Sequence, residues 1–306
     1  MEAVLILLFL GLRQLESATA PAHWPALYPT CNGTRQSPID IKTKEAVRNN
    51  DLGKFLFLMY DERQFLTTIK HTAMTVKVTL NTRMQLRAGG LNADYVAAQF
   101  HLHWGKSIGS GGSEHTIDGK QADMELHIVH RQKGLSLTNV FARPDGLAVL
   151  GFHIMIEHGI SEDPAWKNLT KIIKHLKDDG DYQHLNDTVS LMDLIRSVNL
   201  TKYYRYNGSL TTPECNQVVV WTVFEEPIRL NASVVETFFE DLYVNRTSGI
   251  KLRENFRPTQ HNRNQVYASR GATKAMDTGT GNNGSGKARG SPLLLLALAS
   301  LYLHSS

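Results

Sequence analysis

Apolar and polar positions along most of this chain alternate with a period of two, and only two segments keep a helical period. Phe65 to Leu80, Tyr95 to Trp104, Met124 to His130, Leu147 to Ile156 and Gln217 to Phe224 join β-branched and aromatic residues with alternation or short apolar runs, which predicts strands. Residues 161–177 predict a helix: Ser161 stands as a cap, a proline lies near the first turn, and Trp166, Leu169, Ile172, Ile173 and Leu176 fall at helical spacing. Residues 231–242 follow the same logic. No linker, repeat or low-complexity stretch interrupts residues 23–270, so one domain is expected over 21–270, an α+β fold that is mainly β: a large twisted sheet with helices at its periphery.

Composition changes this picture only at the two ends. At 306 residues, 42% hydrophobic and 20% charged, the chain is an ordinary globular protein. Its net charge of +4 is spread without a basic run, which speaks against nucleic acid as a partner. Residues 1–20 have the form of a secretory signal peptide: an apolar stretch from Val4 to Leu12, too short to span a bilayer, then Ala18-Thr19-Ala20, with cleavage between about residues 16 and 22. Residues 271–292 form a polar spacer and 293–306 an apolar terminus, the signal for a glycosylphosphatidylinositol (GPI) anchor at Asn283, Gly284 or Ser285. The alternative is a tail-anchoring transmembrane helix, but the apolar run from Leu293 to Leu303 reaches only about 16 Å against a hydrocarbon core of about 30 Å. The expected location is therefore the extracellular face of the cell membrane. In that oxidising compartment the two cysteines, Cys31 and Cys215, read as bridged rather than free. Glycosylation sequons stand at Asn32, Asn168, Asn186, Asn199, Asn207, Asn231 and Asn245.

Candidate chemistry begins at Gln99-Phe100-His101-Leu102-His103-Trp104. Side chains two apart on a strand share a face, so His101 and His103 present two imidazoles together. Alone, the pair reads equally as a polar strand face. Glu125-Leu126-His127 repeats the alternation and adds a third imidazole with a carboxylate beside it. Three neutral histidines with a fourth position open are the ligand set of a catalytic zinc ion. Glu125 and Gln99 stand where they could orient those ligands, whereas a surface salt bridge is the other reading of Glu125.

With these residues in view the sequence resembles the α-carbonic anhydrases. The resemblance is carried by RQSPIDI at 35–41, QFHLHWG at 99–105, GSEHTIDG at 112–119, MELHIVH at 124–130, LAVLGF at 147–152, YNGSLTTP at 206–213, VVWTVF at 219–224 and ENFRPTQ at 254–260. It implies a mostly antiparallel ten-stranded central sheet with a conical cavity, and Zn2+ held by His101, His103 and His127. It further implies that Thr211 accepts a hydrogen bond from the attacking hydroxide and donates to Glu114, and that Thr212 lines the substrate approach. Val129, Val149, Leu210, Val219 and Trp221 become the apolar wall for carbon dioxide, and His71 the carrier that exports the proton. His115 and Tyr206 are implied as hydrogen-bonding supports around Glu125, and His130 as a satisfied buried histidine. The implied partners are carbon dioxide and bicarbonate, sulfonamide inhibitors at the open zinc position, the plasma membrane through the GPI anchor, and bicarbonate transporters. Pairing of Cys31 with Cys215 narrows the resemblance to the membrane-anchored type IV and type XV branch. One departure stands out: His23-Trp24 matches an internal segment of the family, so the family's longer N-terminal arm with its cavity-facing tyrosine is expected to be missing. The surroundings of His71, Ile69-Lys70-His71-Thr72-Ala73-Met74, also lack the polar residues that order the family's water chain, so proton export is expected to limit turnover. The competing expectation is a catalytically silent adhesion or receptor domain.

Overall fold

In the computed structural model, which describes residues 20–269 and 271–272, the alternating segments pair into one 13-stranded sheet. Ten strands form a continuous path in the order Tyr182–His184, Leu66–Thr72, Thr75–Leu80, Tyr95–Trp104, Met124–Gln132, Leu147–Glu157, Val219–Phe224, Tyr203–Gly208, Tyr267–Ala268 and Val47–Arg48. Most neighbours run antiparallel; Val219–Phe224 and Ile228–Asn231 lie parallel to Leu147–Glu157, and Tyr267–Ala268 lies parallel to Val47–Arg48. The described residues fall in a compact unit spanning Met1–Ala275, while a second unit, Met276–Ser306, lies outside them. The expected signal peptide (residues 1–19 of it), the spacer from residue 273 with Asn283, Gly284 and Ser285, and the apolar terminus all lie outside the described residues. Among the described residues, no helix is long and apolar enough to cross a membrane.

The period-two pattern sorts the central strands into two faces. Phe100, Leu102, Trp104, Leu126, Ile128, Leu150 and Phe152 point to one side, where they bury against Trp166, Leu169, Ile173 and Phe238 of the two peripheral helices. Val149, Val219, Trp221, Val223 and Tyr206 pack on the other side, the face shared by the three histidines. The first helix starts three residues, and the second one residue, after the position that pattern alone gave. The first is Pro164–Ile173: Asp163, not Ser161, is its cap, accepting from the amides of Ala165 at 2.9 Å and Trp166 at 3.1 Å, and Pro164 at the first position loses no hydrogen bond there. The second, Ala232–Glu240, is capped by Asn231.

The segment expected as a single strand from Phe65 to Leu80 is a hairpin of Leu66–Thr72 and Thr75–Leu80. Thr72 closes its turn, donating through Oγ1 to the Thr75 carbonyl at 2.8 Å and accepting from the Thr75 amide at 3.0 Å. The sharp reversal decides which side chains reach the histidine face. His71 is fully buried, opposite Val76 and beside Asp181, whereas Met74 at the turn is half exposed and lines the cavity described below.

Candidate metal centre

Antiparallel register brings the candidate ligands together. His127 lies directly opposite His101, and Glu125 opposite His103, on the adjacent strands Tyr95–Trp104 and Met124–Gln132. Ring centroids are 5.0 Å apart for His101 and His103, 5.2 Å for His101 and His127, and 4.7 Å for His103 and His127. One nitrogen of each ring is already committed. His101 Nδ1 bonds Gln99 Oε1 at 2.9 Å, His103 Nδ1 bonds the Asn255 carbonyl at 2.8 Å, and His127 Nε2 bonds Glu125 Oε1 at 2.7 Å. One ring nitrogen from each histidine lies within 4.8 Å of those of the other two, and the buried His103 Nε2 has no hydrogen-bond partner.

Charge balance favours ligands over ammonium-like rings. Burial lowers the pKa of all three imidazoles, and mutual repulsion with the nearby Lys77 takes His101 furthest, so each is neutral with a lone pair to offer. Burial alone would raise Glu125, yet His115 and His127 beside it hold its carboxyl well below the ordinary range. A second grouping of possible ligands, His115, Glu125 and His127, has no such freedom, because its atoms are spent on one another: His115 Nδ1 and His127 Nε2 both bond Glu125 Oε1 at 2.7 Å. That carboxylate needs room, and Gly151 opposite His127 leaves it, since a methyl there would meet Glu125 Oε1 at 3.0 Å. Tyr206 Oη continues the chain, 2.6 Å from His115 Nε2 and 2.8 Å from Ser37 Oγ.

The three histidines line a cavity of about 900 Å³. Its lining includes the apolar side chains of Val129, Val149, Leu210 and Trp221 and the polar ones of Thr75, Lys77, Gln99, Asn255, Thr211 and Thr212. Glu114 lies behind, its Oε1 accepting from the Arg257 amide at 2.8 Å and its Oε2 3.5 Å from His103 Nε2. Burial pushes the Glu114 carboxyl up to about 7, against the pull of His127, the Thr211 hydroxyl and the Arg257 amide.

Two expected members are elsewhere. Val219 is fully buried in the apolar cluster with Trp221 and does not line the cavity. His71 does not line it either: both its ring nitrogens are buried without a hydrogen-bond partner, because the hairpin turn carries the chain to the cavity only at Thr72 and beyond. His130 bonds Tyr60 and, through Nδ1, the Ala148 carbonyl at 3.1 Å, as expected of a satisfied buried ring. Sequence reasoning gave no role to Asn255, Arg257, Lys77 or Trp24. The first two lie inside the ENFRPTQ match, so a signal existed without a role; Lys77 becomes visible only through its register with His101. Cys31 and Cys215 form a disulfide with Cα atoms 4.9 Å apart, and Trp24, which also lines the cavity, packs on it.

The sequence that builds this site is similar to those of known proteins. The family described as eukaryotic-type carbonic anhydrase matches residues 19–270, which is most of the chain. This chain belongs to that family. Carbonic anhydrase 4 of Oryctolagus cuniculus is 37% identical over 246 residues, 80% of this chain and 77% of that protein. Carbonic anhydrase 4 of Mus musculus is 35% identical over 258 residues, 83% of this chain and 80% of that protein. Carbonic anhydrase 15 of Mus musculus is 37% identical over 255 residues, with 78% and 76% covered. As a carbonic anhydrase the chain is an enzyme of the carbonate dehydratase class, and the relatives carry the type IV and type XV names that its cysteines and motifs suggested.

Proposed function

We propose that this carbonic anhydrase hydrates carbon dioxide reversibly with Zn2+ held by His101, His103 and His127, and that it does so outside the cell on a GPI anchor. The observation that carries the chemistry is the grouping of the three rings: Gln99, Asn255 and Glu125 each occupy one nitrogen of a histidine, His103 is left with a buried nitrogen that has no hydrogen-bond partner, and the three residues offer ligand atoms within 4.8 Å of one another. Zinc, when bound there, supplies Lewis acidity and brings a water's pKa near neutrality, an effect for which carbonic anhydrase is itself the standing example. The chain's own residues do the rest. Val129, Val149, Leu210 and Trp221 offer carbon dioxide a surface that makes no hydrogen bond, so the substrate rests without being solvated. Thr211, its proton directed to Glu114, turns its lone pair toward the nucleophile and fixes the line of attack. A cation among the three imidazoles draws Glu114 back toward the ionised form that this role needs.

The proton then has to leave without help from an imidazole. Among the described cavity residues the histidines are His101, His103 and His127 alone, and Met74 occupies the rim. Direct transfer to buffer is therefore the slow step, and turnover rises with added small imidazole buffers. For the location, support comes from the sequence of the two termini and from the disulfide, which suits an exported chain. Glycans fit the exposed Asn32, Asn186, Asn199, Asn207 and Asn245 better than Asn168 or Asn231, which are partly buried, Asn231 also serving as a helix cap. Zinc content and carbon dioxide hydration measured on one purified sample test the enzyme reading: zinc present without hydration overturns it in favour of a silent domain. Phosphatidylinositol-specific phospholipase C tests the anchor, since protein that stays on the membrane with its C-terminal peptide intact is held by a transmembrane segment.

A further inference from the structure

The polar lining of the cavity carries a positive charge that the hydration chemistry does not use. Lys77, on Thr75–Leu80, lies directly opposite His101 in the antiparallel register. Residues opposed in this way send their side chains from the same face of the sheet, and Lys77 lines the cavity together with Gln99 and His101.

Other charges on the same cavity are accounted for. Lys251 and Arg253 both pair with Glu240. The Arg257 guanidinium is buried and donates to Gln36 Oε1 at 2.9 Å and to the Ser37 carbonyl at 2.8 Å. Glu114 is buried and held by the Arg257 amide. Glu254 is exposed on the rim, but its amide bonds the Gly105 carbonyl, four residues from His101 along the chain and so roughly 13 Å away at the rise of a strand. Among the described residues Lys77 has no acidic partner, and it lines the same cavity as the apolar side chains of Val129, Val149, Leu210 and Trp221.

We infer that Lys77 forms a subsite for a small planar monoanion, a carboxylate or bicarbonate, in the polar lining next to the metal centre. The inference rests on the metal-centre reading above and adds to it. The ammonium is a compact charge on a flexible stem, suited to meeting one oxygen of an anion whose remainder faces the histidines. An exposed charge pair of this kind is worth little in open water, but part of the lining of this cavity is apolar and the anion arrives already confined.

The test uses the full secreted chain loaded with zinc and two matched probes: a benzenesulfonamide bearing a carboxylate, and its uncharged carboxamide twin. Calorimetry gives the ratio of their dissociation constants for the wild type, Lys77→Gln and Lys77→Arg. The expected result is a preference for the carboxylate twin that falls about five-fold in Lys77→Gln, is kept in Lys77→Arg, and is eroded by salt in the wild type and Lys77→Arg but not in Lys77→Gln. A ratio indifferent to Lys77→Gln, with both twins still binding, overturns the subsite and leaves the metal centre standing. Binding of neither twin to folded, zinc-loaded wild type overturns the metal-centre reading and this inference with it.

Discussion

Single residues here act through the nitrogen or oxygen they leave free. Replacing His101 or His127 with alanine removes one of the three proposed ligands, and elemental analysis should find zinc lost along with activity. Glu125→Gln keeps the ligands but takes away the carboxylate that bonds both His115 and His127 at 2.7 Å. Zinc affinity, read by competition with a chelator, should fall by about 10- to 100-fold. His130 shows the acid sensitivity that buried imidazoles bring. It titrates at 6.5 in a free chain, and burial lowers it to about 4 in the fold. The unfolded state therefore takes up the proton first: the stabilisation is whole above pH 6.5, shrinks as pH falls toward about 4, and has no more to lose below that. A difference of that size is worth about 3 kcal/mol. His130→Gln should flatten the fall in Tm across this window relative to wild type. At this scale the grouping of the three histidines was legible because His-x-His and Glu-x-His need only the period of a strand, whereas the Asn255 carbonyl that holds His103 has no side-chain signature at all.

Elements decide what reaches the cavity. The hairpin from Leu66 to Leu80 turns at Ala73 and Met74, so two residues that a straight strand would have placed several positions from the site come to its rim, and His71 goes to the interior. Alternation alone does not reveal such a turn, since Thr72-Ala73-Met74-Thr75 contains neither glycine nor proline. Two outcomes follow. His71→Leu should leave the buffer dependence of turnover as it is, because His71 is buried and does not line the cavity. Met74→His, at the half-exposed rim position, should raise turnover at low buffer concentration and reduce the gain from added imidazole. Stopped-flow hydration over a buffer series checks both; a loss confined to His71→Leu would place the carrier at His71 after all. The long strands themselves were readable from β-branched alternation, but short ones such as Tyr182–His184 and Tyr267–Ala268 are set by the neighbours they pair with, not by their own residues.

The whole molecule is tied across its length. Cys31 and Cys215 are 184 residues apart, and a crosslink closing so long a loop stabilises the fold by about 5 kcal/mol on the chain-entropy account. Cys215 also follows Thr211 and Thr212 closely, and Gln36 Nε2 bonds the Cys215 carbonyl at 3.4 Å. The double change Cys31→Ser, Cys215→Ser should therefore lower Tm and loosen protection of the 211–215 amides in hydrogen exchange, while zinc binding survives. Far-apart bonds have one more consequence, for the order of events during synthesis. All three histidines have been made by residue 127, but the Asn255 carbonyl that aims His103 and the Arg257 amide that holds Glu114 come near the end of the domain. The strand Tyr267–Ala268, which joins Tyr203–Gly208 to Val47–Arg48, comes later still. A nascent chain emerging in vectorial order thus carries these histidines long before it can aim them, so that firm zinc capture is expected only once the strand Tyr267–Ala268 has been made. Arrested chains ending at residue 250 should bind the metal weakly and exchange it freely, and chains extended past 272 should retain it.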